Sequence, residues 1–253
     1  MRHFFTILSH EVRTLIFAPS TYIAAVLFLV IMGFFFAGIL DDYTRAPQET
    51  APAVVFFRFF IVPVLFMVPL LTMKSLAEER RLGTLETLLT TPVSTGEVVL
   101  GKFGAAYLLY VSMWGSTYGF HVVLERHVQD QRFLDPGPLV GGYLFIAVSG
   151  LLFIALGIFA SSIARSQAVA GILSFTLLLG LVVGFGYLGG LSALQEGMFE
   201  PVKATVDSIQ VFRHLNDFTN GVVDTRQVFF YLTGAALALL FSVLGVEAKI
   251  LQS

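Results

Sequence analysis

The chain has 253 residues, 56% of them hydrophobic and only 13% charged, where soluble domains carry roughly 25% charged residues. A net charge of −2 leaves no basic surface for nucleic acid, and the lack of cysteine excludes disulfides, thiolate metal sites and a cysteine nucleophile. The apolar residues come in long blocks, the pattern of an integral membrane protein rather than of an oversized soluble core.

Residues 1–17 are too polar to span. Phe5, Leu8, Val12, Leu15 and Ile16 follow helical spacing, with His10, Glu11 and Arg13 between them, which predicts an interfacial helix rather than a hydrophilic tail. The first apolar block is about spanning length and lacks the cleavage pattern of a signal peptide. Six spans are predicted, over about 20–40, 54–76, 98–124, 139–163, 168–191 and 228–246. The second contains Pro63 and Pro69. An even count puts both termini on one side. Lys and Arg divide eight to seven between the sides, too even to orient the chain decisively. Because long translocated loops weigh less in that rule, the termini are placed in the cytoplasm.

Between spans two and three lies a long stretch that cannot sit in lipid. Glu78, Glu79, Arg80 and Arg81 are adjacent, with Glu86 one turn further on. Leu82, Leu85, Leu88 and Leu89 recur at three- and four-residue steps, while Arg81, Thr84 and Thr87 fall elsewhere. Pro92 stops that pattern, and Ser94 or Thr95 can cap a new helix. The stretch predicts a short amphipathic helix at the membrane surface over Glu78 to Leu89. Near the end of the chain, Val206, Ile209, Val211, Phe212 and Leu215 predict a partly buried helix on the other side. Asn220-Gly221 marks a turn, and Asp224 or Thr225 can cap the last span.

Few residues suggest chemistry. Residues 96–103, GEVVLGKF, match most of a phosphate-binding loop, but Phe103 stands where a magnesium-binding Ser or Thr is required. The plainer reading is that Lys102 anchors the start of the third span. No zinc-protease or serine-hydrolase signature is present. His3, His10, His121, His127 and His214 are scattered and read as interfacial or solvated. Arg58 and Lys74 lie near the ends of the second span, within snorkelling reach of water. No Asp or Glu falls mid-span, which argues against a proton- or sodium-driven pump. Glycines four apart at Gly115/Gly119, Gly180/Gly184 and Gly186/Gly190 permit close helix approach. Ser112, Trp114, Ser116, Thr117 and Tyr118 form a polar-aromatic group in the third span. Helix packing and the lining of a pathway both remain open for these residues.

Residues 73–81 (MKSLAEERR), 83–89 (GTLETLL), 91–94 (TPVS), the pair Gly101-Lys102 and residues 218–225 (FTNGVVDT) resemble one family, the permease subunits of ABC-2 type transporters. The resemblance covers the whole chain and is similar above all to the gliding-motility-associated permeases, with the nitrous-oxide-reductase maturation permeases nearby. It implies an all-α polytopic fold in a bacterial plasma (inner) membrane, without enzymatic activity of its own. It implies two copies of a separate ABC ATPase that bind ATP and magnesium, and a second permease copy or a related permease. In such a family a coupling helix between spans two and three fits a groove in the ATPase. By that resemblance Glu78, Glu79, Arg80, Arg81, Gly83, Thr84, Glu86, Leu88, Leu89 and Pro92 carry the coupling, their charged heads pairing with the partner. The alternative is a membrane scaffold or mechanotransmission subunit without substrate transport.

Overall fold

The computed structural model describes residues 2–45, 50–83, 94–127, 135–189 and 206–250, with the side chains at 2, 3, 127, 249 and 250 set aside. The described residues are helical and contain no strand. Helix α1 (Arg2–Phe17) precedes α2 (Pro19–Arg45), which forms the first span. Then come α3 (Pro52–Arg58), α4 (Ile61–Thr72) and the short α5 (Ala77–Leu82). Helices α6 (Thr95–Ser116) and α7 (Tyr118–His127) carry the third span. The fourth is α8 (Pro136–Ile163) and the fifth is α9 (Gln167–Leu179), continued through a π-helical turn (Gly180–Gly184) into α10 (Phe185–Gly189). Helix α11 (Val211–Thr219) precedes the last span, α12 (Thr225–Ile250). Six helical stretches are long and apolar enough to cross a bilayer, which makes this a polytopic membrane protein.

Sequence sets the boundaries. Ser94 accepts from the Glu97 amide at 3.3 Å while Glu97 reaches back to the Ser94 amide at 3.3 Å, a reciprocal cap that starts α6. Asp135 and Ser166 cap α8 and α9, and the Asp224 carboxylate accepts from the Arg226 amide at the head of α12. Gly221, at φ 79°, closes α11: its amide bonds the Phe218 carbonyl and the Val222 amide bonds that of Asp217. The second predicted span is not continuous. Pro63 has no amide to offer the Phe59 carbonyl, and the helix breaks at Phe59-Phe60, separating α3 from the second span-length stretch, Ile61–Leu82, which comprises α4 and α5.

Helix α8 is the spine. Of its most apolar 18 residues 67% are buried, against 22% for the fifth and sixth spans and 28% for the first. The other spans pack around it, and their outer faces carry large exposed side chains such as Val26 and Phe34, Ile172 and Tyr187, Phe229 and Phe241. Such a continuous apolar belt suits lipid or another membrane helix, not water.

Close packing on α8 comes from glycines other than those the sequence singled out. A Cβ at Gly141 would fall on the Phe218 carbonyl oxygen, at Gly142 in the Phe57 ring, at Gly150 in the Tyr110 ring and at Gly157 on Thr72. Gly115, Gly119, Gly180, Gly184 and Gly186 instead face open space within the chain, and Gly190 lies outside the described residues. The expectation for the histidines is likewise corrected. His10 is exposed, but His121 and His214 are buried, at 7% and 2% exposure. His121 sits among Phe36, Phe56, Phe57 and Tyr143. The predicted late helix is found as α11, whose buried face is Val211, Leu215 and Phe218.

These contacts give a graded expectation. Gly141→Ala meets backbone that cannot rotate away and is expected to destabilise by about 1–3 kcal/mol, as overpacking does. Gly180→Ala meets nothing and is expected to leave stability unchanged or slightly raised. Thermal unfolding of the two purified variants in the same detergent checks the order.

Candidate functional site

At the end of the bundle that carries both termini, the charged residues form a connected junction. Helix α1 lies against α6 because Gly101 and Gly104 leave room for Ile7 and Leu8. That approach lets Lys102, 3% exposed, place its Nζ 2.7 Å from Glu11 Oε1 and 2.6 Å from Glu79 Oε1. One buried ammonium thereby joins α1, α5 and α6. A lone charge here would face a desolvation penalty of several kcal/mol, and two short charge-assisted bonds offset it. The pair Gly101-Lys102 is thus one device: the glycine brings α1 close and the lysine bonds it. The run 96–103 is helical throughout, within α6, and so cannot wrap a phosphate as a loop.

A second fastening ties α5 to the spine. The Ser161 hydroxyl accepts from the Leu76 and Ala77 amides at 3.0 and 3.1 Å, at the start of α5. The Arg80 guanidinium donates to the Ala164 and Ser162 carbonyls at 2.7 and 2.5 Å. These are carbonyls at the C-terminal end of α8, where a cation is favoured by the helix dipole and by the lack of intrahelical partners. Helix α5 is therefore held at both ends by fixed groups of other elements.

The predicted coupling residues accordingly divide. Glu79 and Arg80 are engaged inside the chain, by Lys102 and by the Ser162 and Ala164 carbonyls. Glu78 and Arg81 form a loose i, i+3 pair at 3.9 Å, with side chains 33% and 59% exposed, and Leu82 is exposed as well. The helix does not run to Leu89 in one piece: Gly83, at φ 70°, ends it at Leu82 in the left-handed conformation that glycine alone adopts without strain. Thr84, Glu86, Leu88, Leu89 and Pro92 lie outside the described residues. The sequence reading missed Glu11, Ser161 and the α8 carbonyls. A single carboxylate in the otherwise apolar face of residues 1–17 was the available signal for Glu11.

The polar-aromatic residues of the third span do not converge on one point. Trp114 is 1% exposed and packs edge-on against Phe28, with ring centroids 5.1 Å apart. Ser112 and Ser116 donate to carbonyls of their own helix. Thr117 donates to the Trp114 carbonyl and meets the Tyr143 hydroxyl at 2.9 Å, whereas Tyr118 is exposed. Trp114, Gly115, Tyr118 and Tyr143 do border a common apolar groove of about 450 Å³ on the outer surface of α6 and α8. Gly180 and Gly184 belong to the π-helical turn of the fifth span, away from the charged junction.

Fold and site together define a multi-pass helical membrane protein in which a short charged helix at the end of the second apolar stretch is anchored to its neighbours. The chain belongs to the ABC-2 family transporter proteins, whose family profile matches residues 5–248. It is similar to the probable multidrug ABC transporter permease YbhR of Escherichia coli K12 and of Escherichia coli O157:H7, in each case 24% identical over 172 residues. The match takes in 66% of this chain and 44% of the relative, so the chain spans less than half the length of the proteins it matches.

Removing the shared cation should leave two carboxylates facing each other out of water. Lys102→Met is expected to cost about 3–5 kcal/mol, the range for breaking a buried pair. Adding Glu11→Gln and Glu79→Gln should recover most of the loss. Unfolding temperatures of the single and triple variants check this, and an unaltered single variant would remove the junction's structural role.

Proposed function

We propose that this chain is the membrane-spanning permease subunit of an ATP-driven ABC-2 transporter, and that α5 is where a separate ATPase grips it. The observation that supports this most is the division of charge on α5. Its inward heads, Glu79 and Arg80, are bonded to α6 and to the end of α8, and its outward heads, Glu78 and Arg81, make only a loose pair with each other. A helix so built turns a push on its exposed side into displacement of α1, α6 and α8. The segment after Gly83, with Thr84, Glu86, Leu88, Leu89 and Pro92, completes the docking surface in this reading. ATP and magnesium are bound by the ATPase, present in two copies, one for each of two permease chains. The second permease is another copy of this chain or a related one, packed against the sparsely buried outer faces of the peripheral spans. The termini and α5 face the cytoplasm of a bacterial plasma membrane.

For the cargo, YbhR is a probable multidrug ABC transporter permease, and the apolar groove beside Trp114 and Tyr143 suits an apolar, drug-like molecule. The likeness to gliding-motility permeases favours an envelope component instead. The groove favours the former, export of an apolar, drug-like substrate.

The test is co-expression with an ABC ATPase, followed by pull-down and ATP hydrolysis in nanodiscs. Glu78→Lys with Arg81→Glu is expected to weaken docking by more than tenfold at unchanged unfolding temperature. Charges desolvated under a partner are worth about 2–5 kcal/mol when left unpaired. Parent-like docking and stimulation by that double variant would sink the assignment. Transport should also persist when the proton gradient is collapsed at constant ATP, since no carboxylate lies mid-span among the described residues.

A further inference from the structure

At the end of the bundle opposite the charged junction, α11 and the head of α12 enclose a cavity of about 560 Å³. Its walls carry both signs of charge: Arg213 and Arg226, and the carboxylates of Asp207, Asp217 and Asp224. Among the described residues neither arginine makes an ion pair within 4 Å, although three carboxylates line the same space. The carboxylates are instead held by neutral groups. Asp217 accepts from the Gln227 amide nitrogen at 2.6 Å, Asp207 from that of Gln210 at 2.8 Å, and Asp224 from the Arg226 backbone amide at 2.8 Å.

One group is left without a partner. The bond to Asp217 fixes the orientation of the Gln227 amide, and its Oε1, shut away from solvent, accepts no hydrogen bond from the described residues. A buried acceptor in that condition has lost its water without gaining a partner. The floor is rigid: His214, 2% exposed, meets the Tyr231 hydroxyl at 2.9 Å through Nδ1. Burial holds its imidazole below the ordinary value, opposed by a hydrogen bond with the Ser208 backbone and by the Asp217 and Asp224 carboxylates. His214 is thus a neutral wall rather than a third cation.

We propose that this cavity binds a zwitterion made of an ammonium and a phosphate, the chemistry of an ethanolamine phospholipid headgroup. The ammonium sits between the Asp217 and Asp224 carboxylates, which line the same space. The phosphate takes Arg213 and Arg226, whose planar forks match its oxygens. The surroundings favour lipid over a free solute. Val222 and Val223, between the two helices, and Phe229, beside the cavity-lining Phe230, are exposed apolar side chains at the point where α12 enters the membrane. The site is independent of the ATPase-coupling reading and would stand without it.

Delipidated full-length protein in detergent is titrated with phosphatidylethanolamine, phosphatidylglycerol and soluble glycerophosphoethanolamine, with occupancy read by native mass spectrometry. The expected order is phosphatidylethanolamine at least tenfold tighter than phosphatidylglycerol, which lacks the ammonium. Arg213→Gln with Arg226→Gln should weaken both lipids by tenfold or more. Asp217→Asn with Asp224→Asn should weaken only phosphatidylethanolamine, and Asn still caps α12. Because both pairs are isosteric or exposed, an unfolding temperature within a few degrees of the parent shows that they fold. If glycerophosphoethanolamine binds as tightly as the lipid, the bipolar site holds and its occupant is a free solute. Equal affinity for both lipids, or parent-like binding by both double variants, overturns the proposal.

Discussion

The arrangement at the termini-bearing end depends on one ammonium. Lys102 lies between two carboxylates from different elements, and together the three groups carry more negative than positive charge. If the lysine left, Glu11 and Glu79 would repel each other in a place with little water. If either glutamate left, the other would still pair with the cation. The junction is therefore asymmetric, and the lysine is its keystone. This explains why the neighbouring residue is Gly101: any larger side chain would push α1 outward and lengthen the Lys102–Glu11 bond. Membrane interfaces tolerate such clusters because the long lysine stem stays apolar while its head reaches a polar layer.

The same economy appears in α5. A six-residue helix has no independent stability, since nucleation costs more than one turn of bonds returns. It persists because its first amides meet Ser161, its last turn is closed by Gly83, and two adjacent charged residues face inward to different neighbours. Glu79 and Arg80 are one residue apart, hence about 100° apart around the axis, which is what lets one reach α6 while the other reaches the end of α8. The heads at positions 78 and 81 share the remaining face, three residues apart.

How much was legible in the sequence follows from the kind of signal. The six apolar helices, the helix over residues 2–17 and the caps at Ser94 and Asp224 were legible because length, hydropathy and local hydrogen bonding are local properties. The break at Phe59-Phe60 was half legible: Pro63 was noted, but a proline alone does not tell a kink from a stop. The glycines failed as a guide because spacing records only that two small residues share a face, not what that face meets. Gly141-Gly142 and Gly150 touch bulky neighbours, while the regularly spaced Gly180 and Gly184 touch none within the chain. His121 and His214 were misplaced for the same reason, since burial of a polar ring is decided by partners far along the chain. At the candidate site, the charged run was found but not its orientation. Which of four adjacent charges turns inward depends on Lys102, Ser161 and the α8 carbonyls, none of which lies within twenty residues of Arg80.

Helix α8 connects the two ends physically. Its 28 residues span about 42 Å as a straight helix. Its last carbonyls are held by Arg80, and its first turns, at Gly141 and Gly142, press directly on the α11 backbone and on Phe57 of α3. Between these points Gly150 and Gly157 let the Tyr110 ring of α6 and the Thr72 side chain of α4 sit directly against its backbone. Contacts of that kind leave little slack, because ring and backbone atoms cannot yield by rotamer change. Helix α8 thus links α5 to the far-end helices as one continuous element. The fifth span, beside α8, has a π-helical turn at Gly180–Gly184 where the regular ladder is already interrupted.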